Sequence, residues 1–246
     1  MSDSVPRRMS ERRGLCAVVP VKLFSRTKRR LIPLLSRHER KALARAMLED
    51  VLLALTRAPS LAGIAVITGD AEATAMAYAG GALVIADTEN AGTTAAVTAA
   101  AQHLDGMGRK GMLIVPADVP LITPADIEAI VAAHRVAPSV TLVPASTDGG
   151  TNALACSPLR AVPFAFGEDS FRRHREAAWA RGIEPEILGL ERVGHDIDRP
   201  DDLASFLLRP SPTHTYAYLS RIKVSERLRC VHQNLRDGPR TEQLLR

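Results

Sequence analysis

The sequence predicts an α/β fold with a mostly parallel sheet flanked by helices. Short apolar runs rich in Val, Ile, Ala and Leu recur along the chain, and stretches with helical apolar spacing separate them. This alternation is typical of βαβ units, which build parallel sheets. One run, Met112 to Leu121, is longer than the others and ends in an acid between two prolines. At 246 residues the chain can bury a full core as one large domain.

The first half of the chain supplies three strands and three helices. The first strand is expected over residues 15–21. Ser36 with Glu39 three residues later forms a capping box, which predicts the start of the first helix. The elements expected after it are a strand over 63–68, a helix over 71–78, a strand over 82–86 and a helix that ends near Leu104.

The run over 112–121 is expected to be a central strand that carries Asp118 to its carboxyl end. Open α/β sheets bind their ligands at that edge. Pro120 has no N–H and biases Val119 toward an extended backbone, so Asp118 should lie on a stiff loop. From this segment alone two roles stay open. Asp118 either caps a turn or holds a hard divalent cation, which prefers oxygen ligands.

The second half contains further elements and a glycine pair. Thr123, followed by Pro124, predicts a helix start, and a strand is expected over 140–144. Gly149 and Gly150 would let backbone N–H groups approach an anion, although Asp-Gly-Gly is also an ordinary turn. The last elements expected are a helix that begins near Ser170 and runs past Trp179, and a short helix after Asp198.

The net charge of +5 is distributed unevenly. Residues 1–40 carry eleven Lys or Arg against three acids, residues 41–208 carry thirteen against twenty-one, and residues 209–246 carry eight against three. We therefore expect a basic N-terminal arm over 1–13, a central domain over 14–208 and a basic C-terminal extension over 209–246. The extension is expected to be disordered or packed on a neighbouring subunit, and a homodimer is one candidate assembly.

Composition also bears on partners and location. Few aromatic residues interleave with the basic ends, which argues against a nucleic-acid partner. No signal peptide or membrane span is recognisable, so no membrane partner is expected. The three cysteines are scattered without metal-binding spacing, which favours reduced thiols in a cytoplasmic protein.

A basic loop follows the first strand. Five cations lie within residues 22–30, and such a loop can cradle a triphosphate. It contains no glycine, so it is neither a Walker loop nor a dinucleotide fingerprint. Together with Asp118 and Asp198, which follow different strands, the loop predicts metal-assisted transfer of a nucleotidyl group. An acceptor phosphate would need no general base, because its second pKa is about 6.

Eight motifs in order resemble one family, the phospholactate guanylyltransferases of coenzyme F-420 biosynthesis, from about residue 15 to residue 208. The motifs are Val19-Pro20-Val21-Lys22, Lys28 with Arg30-Leu31, Leu35-Ser36 with Glu39-Arg40, Ala46-Met47 with Asp50-Val51, Pro116-Ala117-Asp118-Val119-Pro120-Leu121, Gly149-Gly150-Thr151-Asn152-Ala153-Leu154, Phe166-Gly167 with Ser170-Phe171 and His174, and Asp196-Ile197-Asp198 with Pro200 and Asp202-Leu203.

The resemblance implies a glycosyltransferase-A-like, Rossmann-like nucleotidyltransferase fold that uses GTP and Mg²⁺. The implied acceptor is a small phosphorylated acid: 2-phospho-L-lactate, phosphoenolpyruvate or 3-phospho-D-glycerate. The resemblance implies that Asp118 and Asp198 bind the metal and that the acceptor is bound by Thr151, Asn152, Gly167 and Ser170. It implies that the nucleotide phosphates are bound by Lys22, Lys28 and Arg30, and that these three cations and Asp118 are the catalytic residues. Gly92 and Thr94 are implied to lie near the base or ribose.

The sequence departs from the family at three places. Arg29 stands in place of a serine, and Thr93-Thr94 in place of a Leu-Asn pair, which weakens the expectation of guanine preference. Arg199 replaces a threonine that would cap the helix at Pro200. Asp198 could then serve as a cap, with Asp196 as the substitute metal ligand.

Two other functions stay open at this point. One is a related nucleotidyltransferase with a molybdenum-cofactor type of acceptor, although the glycine-rich first loop of such enzymes is missing. The other is a nucleotide- or RNA-binding module without catalysis.

Overall fold

A computed structural model describes residues 14–229 of the chain. The strands are β1 (Cys16–Val21), β2 (Gly63–Thr68), β3 (Leu83–Ala86), β4 (Met112–Ile114), β5 (Ser139–Pro144), β6 (Thr151–Ser157) and β7 (Glu186–Ile187). The helices are α1 (Arg37–Thr56), α2 (Ala71–Ala79), α3 (Thr93–Gly106), α4 (Pro124–Ala133), α5 (Ser170–Trp179), α6 (Glu191–Gly194), α7 (Pro200–Leu207) and α8 (His214–Arg221). Two short 3-10 turns, Phe24–Arg26 and Arg29–Leu31, follow β1.

The strands form one sheet in the order β3-β2-β1-β4-β6-β5-β7. Within residues 14–229 only β6 is antiparallel to its neighbours, β4 and β5. The other neighbouring pairs are parallel. The predicted α/β class with a mostly parallel sheet is confirmed.

Apolar clusters cover both faces of the sheet. One face packs against α1, α4, α7 and α8, with Leu43, Met47 and Val51 of α1 at its centre. The other face packs against α3 and α5 through small side chains such as Ala100 and Ala178. Burial on both faces explains why the strands read as continuous apolar runs.

Local capping signals determine where α1, the longest helix within residues 14–229, and α4 begin. The Ser36 hydroxyl accepts a hydrogen bond from the Glu39 N–H at 3.3 Å, and the Glu39 carboxylate accepts one from the Ser36 N–H at 2.8 Å. Thr123 and Asp126 make the same reciprocal pair at the start of α4. Both predicted helix starts are confirmed.

Several elements differ from the expectation, among them β4, β6 and α5. The central strand β4 has only three residues, because Pro116 has no N–H with which to continue the ladder after Val115 donates to the Val18 carbonyl. Strand β6 was not expected, since the glycine pair before it reads as a loop. Helix α5 ends at Trp179 and does not run past it.

The segment after residue 208 packs on the same chain as far as the structure describes it. The buried Asp50 carboxylate on α1 accepts hydrogen bonds from the N–H groups of His214 and Thr215 and from the Thr215 hydroxyl, at 2.6–2.9 Å. Leu219 and Val224 are fully buried against α1 and its neighbours. Residues 209–229 therefore pack on their own chain, whereas the expectation was a segment that is disordered or packed on a neighbouring subunit. The expectation of a disordered tail also covers residues 230–246, which lie outside the described residues.

Within residues 14–229, no helix has the length and apolar character needed to cross a bilayer.

Candidate functional site

The candidate site lies at one edge of the sheet, where β1 and β4 end and β6 begins. Because β6 is antiparallel, its first residues, Thr151 and Asn152, lie at the same edge as the carboxyl ends of the parallel strands. The loop that carries Asp196 to Asp198 is joined to the loop after β4, since the Ile197 N–H donates to the Asp118 carbonyl at 3.0 Å. Three separate parts of the sequence therefore meet at this edge.

Lys28 lies at the centre of the site. Its ammonium group donates to Asp118 Oδ2 and to Asp198 Oδ1, both at 2.7 Å, and its side chain is only 3% exposed. Lys28 adopts a left-handed backbone conformation with φ 53°, which is uncommon for a residue with a side chain. Burial alone would lower the pKa of Lys28, but the two carboxylates outweigh it and raise that pKa. Lys28 is therefore held as a cation.

Three carboxylates converge at this point. Asp118, Asp196 and Asp198 each offer an oxygen, and the three oxygens lie within 4.8 Å of one another. Burial, and next the charge of Asp118, raises the pKa of Asp196 to about 6. Burial would also raise the pKa of Asp198, yet the charge of Lys28 reverses this and lowers it. The three acids thus carry closely packed negative charge that one cationic side chain only partly neutralises.

Asp202 caps α7, so Asp198 is not needed as the cap. The Asp202 carboxylate accepts from the N–H groups of Asp198 and Arg199, at 2.9 and 2.7 Å. The Asp198 carboxylate instead faces Lys28 and lies 3.4 Å from Arg30 Nη1. The capping alternative for Asp198 is wrong, because its carboxylate contacts Lys28 and Arg30, while Asp202 at the third helical position fixes the N–H groups that precede the helix.

Asn152 lies behind the carboxylates. Its amide nitrogen donates to Asp196 Oδ1 at 3.0 Å and to the Val193 carbonyl at 3.1 Å, and the residue is buried. Both contacts are within the chain. Asn152 therefore orients Asp196.

Thr151 and Ser170, two of the expected acceptor residues, are brought together. The Ser170 hydroxyl donates to Thr151 Oγ1 at 3.3 Å, and His174 Nδ1 lies 3.0 Å from the same oxygen. His174 Nε2 accepts from the Ala165 N–H, so Nδ1 carries the proton and the ring is neutral. Burial, with a smaller effect of the Arg173 charge, lowers the pKa of His174 to about 4. Gly167 is exposed on the adjoining loop with φ 116°, a conformation that favours glycine.

A cleft of about 140 Å³ lies between the end of β1 and the start of α3. Lys22 and Gly92, both expected near the nucleotide, line it together with Thr93. The Thr94 hydroxyl has another partner: it accepts from the Phe166 N–H at 3.0 Å and thereby ties α3 to the loop before α5. Arg30 is exposed at the rim of the carboxylate cluster.

Sequence reasoning missed several residues of this site. Asp202 was quoted only as part of a motif, and its position three residues after Arg199 was a capping signal. His174 was quoted only as part of a motif and was given no role, because its contact with Thr151 depends on the fold. Asp87 and Asn90 line the cleft and had no expected role at all.

Known proteins are similar to this chain in sequence and in fold. A protein-family model described as "Guanylyl transferase CofC like" matches residues 15–235. A phosphoenolpyruvate guanylyltransferase of Roseiflexus sp. is 40% identical over 80% of this chain and 86% of its own length. A 3-phospho-D-glycerate guanylyltransferase of Colwellia psychrerythraea is 34% identical over 79% of this chain and 92% of its own. A 2-phospho-L-lactate guanylyltransferase of Methanothermobacter thermautotrophicus is 32% identical over 85% and 91%.

Solved structures give the fold. A Desulfovibrio desulfuricans protein assigned as a nucleotide-diphospho-sugar transferase has a TM-score of 0.69 at 17% identity, over 87% of this chain and 96% of its own. A cytidylyltransferase of Leptospira borgpetersenii has a TM-score of 0.53 at 11% identity, over 90% and 97%. At these identities the likeness establishes the architecture alone, and it confirms the expected nucleotidyltransferase fold.

Proposed function

The chain belongs to the CofC-like guanylyl transferase family, and from that premise we propose that it transfers GMP from GTP to a three-carbon phosphorylated acid in coenzyme F-420 biosynthesis. Relatives at 36–40% identity are named for phosphoenolpyruvate, and others for 3-phospho-D-glycerate and 2-phospho-L-lactate. Phosphoenolpyruvate is therefore the first acceptor to test. The proposed enzyme domain is residues 14–208, with basic extensions over residues 1–13 and 209–246, of which residues 209–229 pack against α1.

One observation carries the proposal. Asp118, Asp196 and Asp198 converge beside the buried Lys28, at the sheet edge where the basic loop begins. Three carboxylates at this edge favour binding of a divalent cation. A nucleoside triphosphate bound at the same edge would supply phosphate oxygens to that cation and to the basic loop. Lys28 is the one buried cation in contact with these acids among the described residues, and Arg30 contacts Asp198 from the exposed side.

The residues fit a magnesium ion. All three candidate ligands are carboxylates, the oxygen donors that Mg²⁺ prefers, and the position already holds a positive charge, since Lys28 makes two 2.7 Å contacts there. Asp118 and Asp198 are the proposed ligands, with Asp196 beside them. When bound, the ion would neutralise the negative charge that develops on the α-phosphate and on pyrophosphate.

The reaction is a displacement at phosphorus. A phosphate oxygen of the acid forms a bond to the α-phosphorus of GTP, and the bond from that phosphorus to the β-phosphate oxygen breaks to release pyrophosphate. The attacking phosphate is mostly a dianion at neutral pH, so no side chain has to remove a proton. Catalysis then consists of alignment and charge neutralisation by residues of the site.

The other site residues divide between the two substrates. Lys22, Lys28 and Arg30 are proposed to contact the nucleotide phosphates, and Gly92 to lie against the nucleoside. Thr151, Ser170 and Gly167 are proposed to bind the acid, and Asn152, which donates to Asp196, is proposed to support the acceptor site by orienting that carboxylate. Thr94, whose hydroxyl already accepts from Phe166, is proposed to support the nucleotide site through that contact.

Product analysis tests the proposal. The folded protein is incubated with GTP, Mg²⁺ and an equimolar mixture of the three acids, and the products are identified by mass spectrometry. The expected product is the GMP adduct of at least one acid, together with pyrophosphate. Unchanged GTP and acids would contradict the proposal, and a parallel reaction with ATP and CTP reports which base is accepted.

A further inference from the structure

We infer that Asp87 selects the guanine base, by accepting hydrogen bonds from the edge of the base that carries N1–H and the 2-amino group. This inference rests on the proposed function, because it assigns a residue of the same nucleotide site. Asp87 is not among the site residues expected from the sequence, and the names of the relatives do not indicate which residue contacts the base.

The cleft between the end of β1 and the start of α3 has the lining of a nucleoside site. Pro20, Val21, Leu23 and Ala96 give it apolar walls, against which a flat base can lie. Lys22 and Arg26 line the same cleft and bring positive charge toward phosphates. A nucleotide with its phosphates toward these cations would place its base among the remaining lining residues.

Asp87 is the one acid among the described residues that line the cleft. Because a triphosphate is strongly anionic, a carboxylate in its binding site is unfavourable unless it accepts hydrogen bonds from the ligand. Guanine offers two adjacent donors, N1–H and the 2-amino group. Adenine and cytosine present an unprotonated ring nitrogen at the matching position, and a carboxylate can only accept.

The structure holds Asp87 in a fixed position. Its N–H donates to the Thr68 carbonyl at 3.0 Å, and its Oδ1 accepts from the Asn90 N–H at 3.0 Å. A side chain at Gly69 would come within 2.7 Å of the Asp87 carbonyl, so the glycine allows the end of β2 to lie against this residue. In the contacts between described residues, Oδ2 of Asp87 is left for a ligand, and its orientation is set before binding.

The two threonines at the start of α3 have other positions or partners than Asp87. Thr93 lines the cleft, whereas the Thr94 hydroxyl accepts from the Phe166 N–H. The departure from the family at these positions therefore leaves the guanine-reading acid in place.

Inosine triphosphate gives a direct test, since it differs from GTP only by the missing 2-amino group. Binding of GTP and of ITP is measured by calorimetry, without acceptor, for the unchanged protein and for Asp87→Asn. The substitution keeps an oxygen for the Asn90 N–H but turns one acceptor into a donor. We expect GTP to bind at least about 10-fold more tightly than ITP, the effect of one hydrogen bond to a charged acceptor, and the ratio to fall close to one in the variant.

Glu89→Gln is the matched control, because Glu89 is an exposed acid of the same loop and does not line the cleft. It should keep the GTP-to-ITP ratio of the unchanged protein. An Asp87→Asn protein that is folded by circular dichroism and keeps that ratio would overturn the inference, as would an unchanged protein that binds both nucleotides equally. Asp87→Ala gives a second reading if the asparagine variant does not fold.

The binding assay separates this inference from the proposed function. Failure to release pyrophosphate with any of the three acids would contradict guanylyl transfer, while the GTP-to-ITP ratio would still test Asp87.

Discussion

Lys28 and Asp118, ninety positions apart in the sequence, form a 2.7 Å ion pair at the centre of the carboxylate cluster. The lysine side chain is almost fully buried, whereas Asp118 is 28% exposed at the edge of the sheet. This arrangement gives Lys28 two effects. It partly neutralises the charges of Asp118 and Asp198, and it places a cation next to the proposed metal ligands.

Replacing Lys28 by methionine should destabilise the protein and abolish turnover. The substitution leaves two carboxylates without their buried counter-ion. We expect a loss of about 2–3 kcal/mol in the free energy of unfolding, below the range for fully buried pairs because both acids are partly exposed. Urea denaturation measures the loss, and added Mg²⁺ should recover part of it by binding the freed carboxylates. A Lys28→Met protein with unchanged stability would contradict this role, and Lys110→Met is the exposed control.

Replacing Asn152 by leucine should weaken metal use. Asn152 donates to Asp196 Oδ1, and Asp196 lies beside the two proposed ligands, where partners of the carboxylates typically change metal affinity 10- to 100-fold. We expect the Mg²⁺ concentration for half-maximal rate to rise about 10-fold. The rate at saturating Mg²⁺ should change less. Gln102→Ala, on the exposed side of α3, serves as control; an unaltered Mg²⁺ dependence in Asn152→Leu would rule out the positioning role.

His174 should make the stability depend on pH. Its folded pKa of about 4 lies below its ordinary value of 6.5, so the unfolded chain binds the extra proton between these values. Its contribution is therefore complete above pH 6.5 and is lost as the pH falls toward 4, by up to about 1.4 kcal/mol per pH unit. Denaturation at pH 7, 6 and 5 should show a shallower loss for His174→Gln than for the unchanged protein. Equal slopes would contradict a neutral buried His174, and exposed His103→Gln should leave the slope unchanged.

Removal of the Asp50 carboxylate should detach α8 without affecting the chemistry. Asp50→Ala removes the acceptor of three hydrogen bonds from His214 and Thr215, and leaves buried donors unpaired. We expect a loss of about 3 kcal/mol in stability, with the rate per folded molecule unchanged. Glu49→Ala, next to it but half-exposed, should cost far less. A large loss of rate in folded Asp50→Ala would show that α8 also supports the site.

The sequence predicts the elements that local signals govern. The capping pairs of α1 and α4 and the strand over 63–68 follow from neighbouring residues, and the structure has them where expected. Strand β6 was missed because its antiparallel direction depends on pairing with β4, a contact between distant parts of the chain. The packing of α8 was missed for the same reason, since its partner Asp50 lies 165 positions before Thr215.

Some residues of the candidate site could likewise be predicted from the sequence, and others could not. Asp118 could be expected as the central acid, since it follows a buried run and is held by two prolines. The buried position of Lys28 and the neutral state of His174 depend on which strands are neighbours, so they could not be predicted. The role of Asp202 was accessible from its spacing, because an acid three residues after a helix start is a capping signal.

The most direct test of the account is pyrophosphate release from GTP and phosphoenolpyruvate, measured in parallel for the unchanged protein, Asp118→Asn and the exposed control Asp105→Asn. We expect release by the unchanged protein and by Asp105→Asn that stops when EDTA removes the metal, and a rate at least about 100-fold lower for folded Asp118→Asn. If phosphoenolpyruvate gives no release, the other two acids are tested in the same way. No release with any of the three acids, or full activity of Asp118→Asn, would contradict it.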